Sequence, residues 1–180
     1  MLWVLSAMAI TQLYDNISGR NAPATRVIAV PTVGPTVAPD PEITRLADLQ
    51  TCVSANPSDL ECVTELAALY YSMGQYEQSQ VNYENAVKLS PHDYNLLVKL
   101  AGTYIYQLKF EDAVTTLRQA VVLKPDSPEI HLLLGLSLSK LNPAQFTEAI
   151  AEWNKVIELA PGSDYAAQAA ELINAANTVR

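Results

Sequence analysis

Two cysteines, Cys52 and Cys62, stand in "CVSANPSDLEC" with Pro57 between them. A helix ending near Cys52 and another starting near Cys62 form a hairpin that puts a disulfide within reach. Two small buried side chains are the competing reading. There is no C-x-x-C spacing, which argues against dithiol redox chemistry and against zinc. A disulfide requires an oxidising compartment, so it goes with an extracytoplasmic location. Of the two histidines, His92 falls in a turn and His131 on an apolar helix, where it reads as a packing or rim residue. No Gly-rich phosphate loop and no cluster of metal-ligand spacing occurs, and the carboxylates are spread over helix surfaces. The chain is therefore expected to be no enzyme and to need no cofactor or metal. Its 11 Lys and Arg form no cluster and its net charge is −8. Tracking a phosphate backbone or an anionic lipid surface requires a basic patch, so nucleic acid is not an expected partner.

The elements that hold these residues recur. "YEQSQVNYENAVKLSP" at 76–91 returns as "FEDAVTTLRQAVVLKP" at 110–125 and as "FTEAIAEWNKVIELAP" at 146–161. Pro57, Pro91 and Pro125 are 34 residues apart, and Pro161 follows after 36. Leu66, Leu100 and Leu134 keep the step of 34, as do Ala67, Ala101 and Gly135. The two extra residues of the last unit lie in "SKLNPAQ", where Pro143 cannot continue a helix. Each unit reads as two helices, the first apolar at Val63, Leu66, Ala67 and Tyr70, the second closed by a proline. The small residue at Ala67, Ala101 and Gly135 lets the partner helix come close. Ser58, Asp93, Ser127 and Ser163 are placed as N-caps. Helix pairs of this kind bury their apolar faces by stacking on one another.

A 34-residue helix–turn–helix period with these positions resembles the tetratricopeptide repeat (TPR) family. The resemblance covers Leu60–Pro161 as three repeats, with Ile43–Pro57 as a half repeat before them and Ser163–Ala176 as a closing helix. Ser79 stands where the family usually has alanine. The resemblance implies an all-α solenoid over residues 42–180, a right-handed superhelix whose first helices line a concave groove that binds protein segments. Carried onto this chain, the groove floor consists of Tyr71, Val98, Lys99, Gly102, Ile105, Tyr106, Leu132, Leu133 and Leu136. Family members that hold a peptide carboxylate do so with Lys, Arg and Asn; here Lys99 stands nearly alone, so that clamp is largely absent. The remaining floor is apolar and suits an apolar helix or extended segment of a protein. Leu132, Leu133 and Leu136 equally fit packing against the closing helix.

Residues 1–41 differ in kind. "MLWVLSAMAITQLY" is apolar but shorter than the roughly 20 residues of a membrane span, and no basic residues precede it as in a signal peptide. A Pro/Val-rich stretch follows, expected to be extended. Two readings stand. Met1–Tyr14 is the membrane-contacting end of an anchor, or the arm is an assembly device whose apolar groups, Leu2, Trp3, Val4, Leu5, Ile10, Val27, Ile28, Val30 and Val33, enter the groove or open end of another copy. Such head-to-tail contacts would build oligomers or filaments. Leu132–Ala176, with Trp153 and the turn Pro161–Gly162–Ser163, also resembles the end of bacterial cytochrome c maturation TPR proteins. That resemblance implies a membrane-anchored factor holding apocytochrome.

Overall fold

A computed structural model describes residues 40–142 and 145–178. The arm or anchor residues from Leu2 to Val33, and Pro143 in the third turn, lie outside the described residues. Within them run eight helices and no strand: α1 Pro41–Ala55, α2 Leu60–Ser72, α3 Tyr76–Leu89, α4 Tyr94–Tyr106, α5 Phe110–Leu123, α6 Pro128–Leu141, α7 Phe146–Leu159 and α8 Asp164–Thr178. This is the expected all-α solenoid. Helices α2–α3, α4–α5 and α6–α7 are the three pairs, α1 is the half repeat before them and α8 the closing helix. Each packs on its neighbours in sequence; in addition α4 meets α6, and α6 meets α8.

The helix starts follow local chemistry, with two departures from expectation. Asp40 accepts a hydrogen bond from the Glu42 backbone N–H at 2.9 Å, and Pro41 sits in the first turn. A proline there gives up a donor that the helix leaves unpaired anyway. The helix thus begins one residue before the expected boundary of 42. The cap of α2 is Asp59, which accepts from the Cys62 N–H at 3.1 Å, and not Ser58. Ser58 instead gives its backbone N–H to the Asn56 side chain at 3.3 Å, inside the turn. Asp93 and Ser163 cap as expected, accepting from the Asn95 and Ala166 N–H groups at 2.9 and 3.2 Å. Ser127 holds the cap position of α6 without a side-chain bond.

The core repeats in layers. Ala67, Ala101, Ala113, Ala120 and Ala149 are fully buried where helices approach closely. Gly135 fills the same role in the third pair, for a specific reason. The side chain facing it is Trp153, where the earlier pairs have Tyr83 and Leu117. A β-carbon on Gly135 would stand 2.5 Å from the indole Nε1 and 3.0 Å from the Ala149 carbonyl. Large tryptophan and absent side chain therefore belong together. The indole N–H donates to the Leu132 carbonyl at 3.4 Å. From α4 to α8 the core is one continuous cluster, whereas the first layers hold three smaller ones. Cys52 and Cys62 form a disulfide that joins α1 to α2, with Cα atoms 6.1 Å apart. Arg45 with Glu65 (3.2 Å) and Gln50 with the Tyr70 hydroxyl (2.8 Å) add two polar ties across the same pair.

His131 is buried, and its ring nitrogens face two acceptors: Nδ1 the Glu152 carboxylate at 2.6 Å, Nε2 the Pro125 carbonyl at 2.9 Å. It thereby ties the α5–α6 turn to α7, and the packing role expected of it is the one it occupies.

Candidate functional site

The inner faces of α2, α4 and α6 enclose a cleft of about 440 Å³. Its apolar wall is Tyr71, Val98, Ile105, Tyr106, Leu133 and Leu136, with Gly102, Tyr83, Lys99 and Glu129 completing it. Eight of the nine residues expected on the groove floor are among these. The ninth, Leu132, is 8% exposed and belongs to the core cluster. It lies about 100° round the helix from Leu133, and that rotation turns it away from the cleft. Gly102 meets nothing closer than the Tyr71 hydroxyl, 3.8 Å from where a β-carbon would stand. Its missing side chain deepens the floor.

Tyr71 and Tyr106 form the aromatic end of the cleft, and Tyr76 packs behind them against both rings. Tyr71 and Tyr106 occupy the last turns of α2 and α4, and Tyr76 opens α3. Tyr76 stacks on Tyr106, centroids 5.0 Å apart and planes at 16°. Tyr71 meets both edge-on, at 5.6 Å from Tyr76 and 5.4 Å from Tyr106. Offset-stacked and edge-to-face pairs each add about 0.5–1.5 kcal/mol beyond area burial, so the cluster is held in shape. Burial pushes the Tyr71 phenol well above the usual tyrosine range, helped by a hydrogen bond with Tyr106 and the nearness of Tyr106, Tyr76 and Tyr83. Burial and a hydrogen bond to Glu84 raise Tyr104 likewise. Tyr106 itself is 59% exposed and offers a ring face pre-organised by its neighbours.

The turns that set these tyrosines are built alike from different residues. In α2–α3, Gly74 has φ +72° and the bonds Gly74 N–H to Tyr71 O (3.0 Å) and Gln75 N–H to Tyr70 O (2.8 Å) close the helix. In α4–α5, Leu108 takes φ +60° and the equivalent bonds run to Ile105 O (3.0 Å) and Tyr104 O (2.9 Å). A left-handed leucine costs roughly 1–2 kcal/mol that glycine avoids, and its side chain is 72% exposed. Tyr76 and Leu108 were not among the expected site residues. Tyr76 shares its repeat position with Phe110 and Phe146, which hid it as a packing residue. Leu108 carries a signal visible in the sequence: it stands 34 residues after Gly74, where glycine is the economical choice.

Lys99 is exposed on the cleft wall, and among the described residues no ion pair engages it. Cys52, Asp59 and Cys62 lie close together, but both sulfurs are spent in the disulfide and the Asp59 carboxylate serves as a cap. No described helix is long and apolar enough to cross a membrane.

Stacked antiparallel helix pairs, a closing helix and a cleft lined by the first helix of each pair define a helical-repeat protein. Tetratricopeptide repeat models match residues 60–93 and 103–142, and the described body is a tetratricopeptide repeat array. Among solved structures, the MamA RS-1 ArsTM double mutant aligns with TM-score 0.69 and 17% identity over 77% of this chain and 75% of its own. The first TPR of Spaghetti (RPAP3), bound to the HSP90 peptide SRMEEVD, aligns with TM-score 0.61 and 20% identity over 67% of this chain and 91% of its own. The Arabidopsis OM64 TPR domain gives 0.58 and 19%, over 63% and 93%. At such identities the likeness speaks for the fold. No curated protein matches the sequence significantly.

Proposed function

We propose that this protein is a non-enzymatic interaction scaffold whose concave cleft holds an apolar segment of another protein. The observation that carries the reading is the convergence of Tyr71, Val98, Ile105, Tyr106, Leu133 and Leu136 from three first helices on one open cleft. Burying that wall under a partner's apolar side chains is favourable by about 25 cal/mol per Å², and aromatic anchors dominate such interfaces. The RPAP3 domain is bound to the acidic HSP90 peptide SRMEEVD; here Lys99 is the one cation among the cleft-lining residues, so an apolar segment fits better than an acidic terminus. The disulfide supports an oxidising, extracytoplasmic setting. The test is Tyr106→Ala in the full chain. Its ring is more exposed than buried, so helicity should persist while partner affinity drops about tenfold or more. Unchanged affinity with a lowered melting temperature refutes the reading.

A further inference from the structure

We propose that the cleft selects its partner by charge, taking segments that set basic side chains beside their apolar anchors. This rests on the scaffold reading and names the partner's chemistry. The cleft is polarised along its first helices. Tyr71 and Tyr106 stand at the C-terminal ends of α2 and α4, whereas the first turns of α2 and α6 carry acid and that of α4 carries none. Glu61 and Glu129 occupy equivalent places in the first turns of α2 and α6. Glu129 is on the wall of the aromatic cleft itself. Glu61 lies in a second hollow of about 400 Å³ with Glu65, Asp93, Leu60 and Leu96, between α2 and α4.

The acids differ in how they are used. Glu65 is engaged by Arg45 at 3.2 Å, and Asp93 caps its helix by accepting from Asn95. Glu61 and Glu129 are exposed, and neither has an ion-pair or side-chain hydrogen-bond partner among the described residues. A carboxylate at a helix N-terminus is locally favoured by the helix dipole, which explains why the fold carries both at no cost to itself. Their oxygens remain free to meet a cation. The cleft thus offers an apolar, tyrosine-lined well with the unpaired Glu129 and Lys99 on its wall, and the unpaired Glu61 stands in the second hollow: two unpaired carboxylates against one unpaired lysine, on a chain of net charge −8. Complementary charge raises association rate and rejects partners of like charge. A segment with apolar anchors and lysine or arginine about one to two turns of helix away, or on alternate positions of an extended strand, matches the well and the carboxylates together.

Three synthetic peptides with identical leucine and phenylalanine anchors, and lysine, serine or glutamate at the intervening positions, test this with the full-length protein by fluorescence anisotropy. The lysine peptide should bind about tenfold tighter than the serine peptide, and the glutamate peptide more weakly than either. The advantage should shrink to about twofold in roughly 0.5 M salt, where the Debye length is only a few ångströms. It should largely vanish in a Glu61→Gln, Glu129→Gln variant of unchanged circular dichroism. Lysine and serine peptides that bind alike, both weakened by Tyr106→Ala, overturn charge selection and leave the scaffold reading standing. Tightest binding by the glutamate peptide overturns charge selection also. Failure of all three to bind overturns both readings.

Discussion

Gly135→Ala adds a single methyl group, and the structure says what it meets. The new carbon would lie 2.5 Å from Trp153 Nε1, 2.7 Å from Cδ1 and 3.0 Å from the Ala149 carbonyl. The indole is 1% exposed and Ala149 fully buried, so neither the ring nor the helix opposite has room to yield. Overpacking of this kind costs about 1–3 kcal/mol. Replacing glycine by alanine inside a helix returns about 0.5–1 kcal/mol. The net expectation is a loss of about 1–2 kcal/mol. Trp153→Leu alone should cost about 2–4 kcal/mol through the cavity it opens. Together the two changes reproduce the alanine and leucine that Ala101 and Leu117, both fully buried, supply one repeat earlier. The pair should therefore be favourably coupled by at least about 1 kcal/mol, read as a double-mutant cycle. Urea unfolding followed by far-UV circular dichroism measures all four proteins. A Gly135→Ala chain as stable as the parent, or a double variant whose losses simply add, refutes the argument that glycine and tryptophan were selected as a unit.

Reducing the Cys52–Cys62 bridge, which closes a short loop, should cost about 2–3 kcal/mol; thiol labelling of protein isolated under denaturing, non-reducing conditions would find both thiols free if the bridge does not form. Tyr71 and Tyr104 are both raised above the usual tyrosine value of 10.0, so the folded chain keeps protons that the unfolded chain releases at high pH. Stability should hold level below pH about 10 and fall as pH rises beyond it, and Tyr104→Phe should make that fall shallower; an equal slope in melting temperature against pH counts against the assignment. Leu108→Gly should stabilise the fold by about 0.5–1 kcal/mol, because it relieves a left-handed leucine while giving up little burial; a lowered urea midpoint would mean that Leu108 packs more than its exposure shows.

The repeat architecture was legible because it depends on spacing alone. Leu66, Leu100 and Leu134 announce the period, and the same spacing located each helix pair. Face assignment was harder where a helix is apolar all round. In α6, Leu132, Leu133, Leu134 and Leu136 run together, broken only by the missing side chain of Gly135, with no polar residue between them to mark the outside, so the sequence alone does not separate Leu132, which belongs to the core, from the groove floor. The choice between Ser58 and Asp59 as a cap was invisible for another reason: both residue types accept from a helix N–H, and the Asn56 turn decides which one does. Tyr76 was hidden by its equivalence to Phe110 and Phe146, since a ring that packs the repeat interior can also stack outward on Tyr106.

The chain also contains its own comparison between packing and function. Every layer solves the same packing problem, so positions that serve packing should hold the same kind of residue in each repeat. At the closest approaches they do: Leu66, Leu100 and Leu134 are identical, and Ala67, Ala101 and Gly135 are all small, while Tyr83, Leu117 and Trp153 are all large and apolar in bulk; the buried His131, equivalent to Val63 and Leu97, is an exception. Positions that face the cleft behave otherwise. Glu65, Lys99 and Leu133 are equivalent, as are Ala68, Gly102 and Leu136, and Ser72, Tyr106 and Lys140. No shared structural demand produces a carboxylate, an ammonium and an isobutyl group at one place. The same divergence puts leucine in the left-handed position where the preceding repeat has Gly74. Packing fixes one set of positions and leaves the other free to specialise, and the specialised set is the one that lines the cleft.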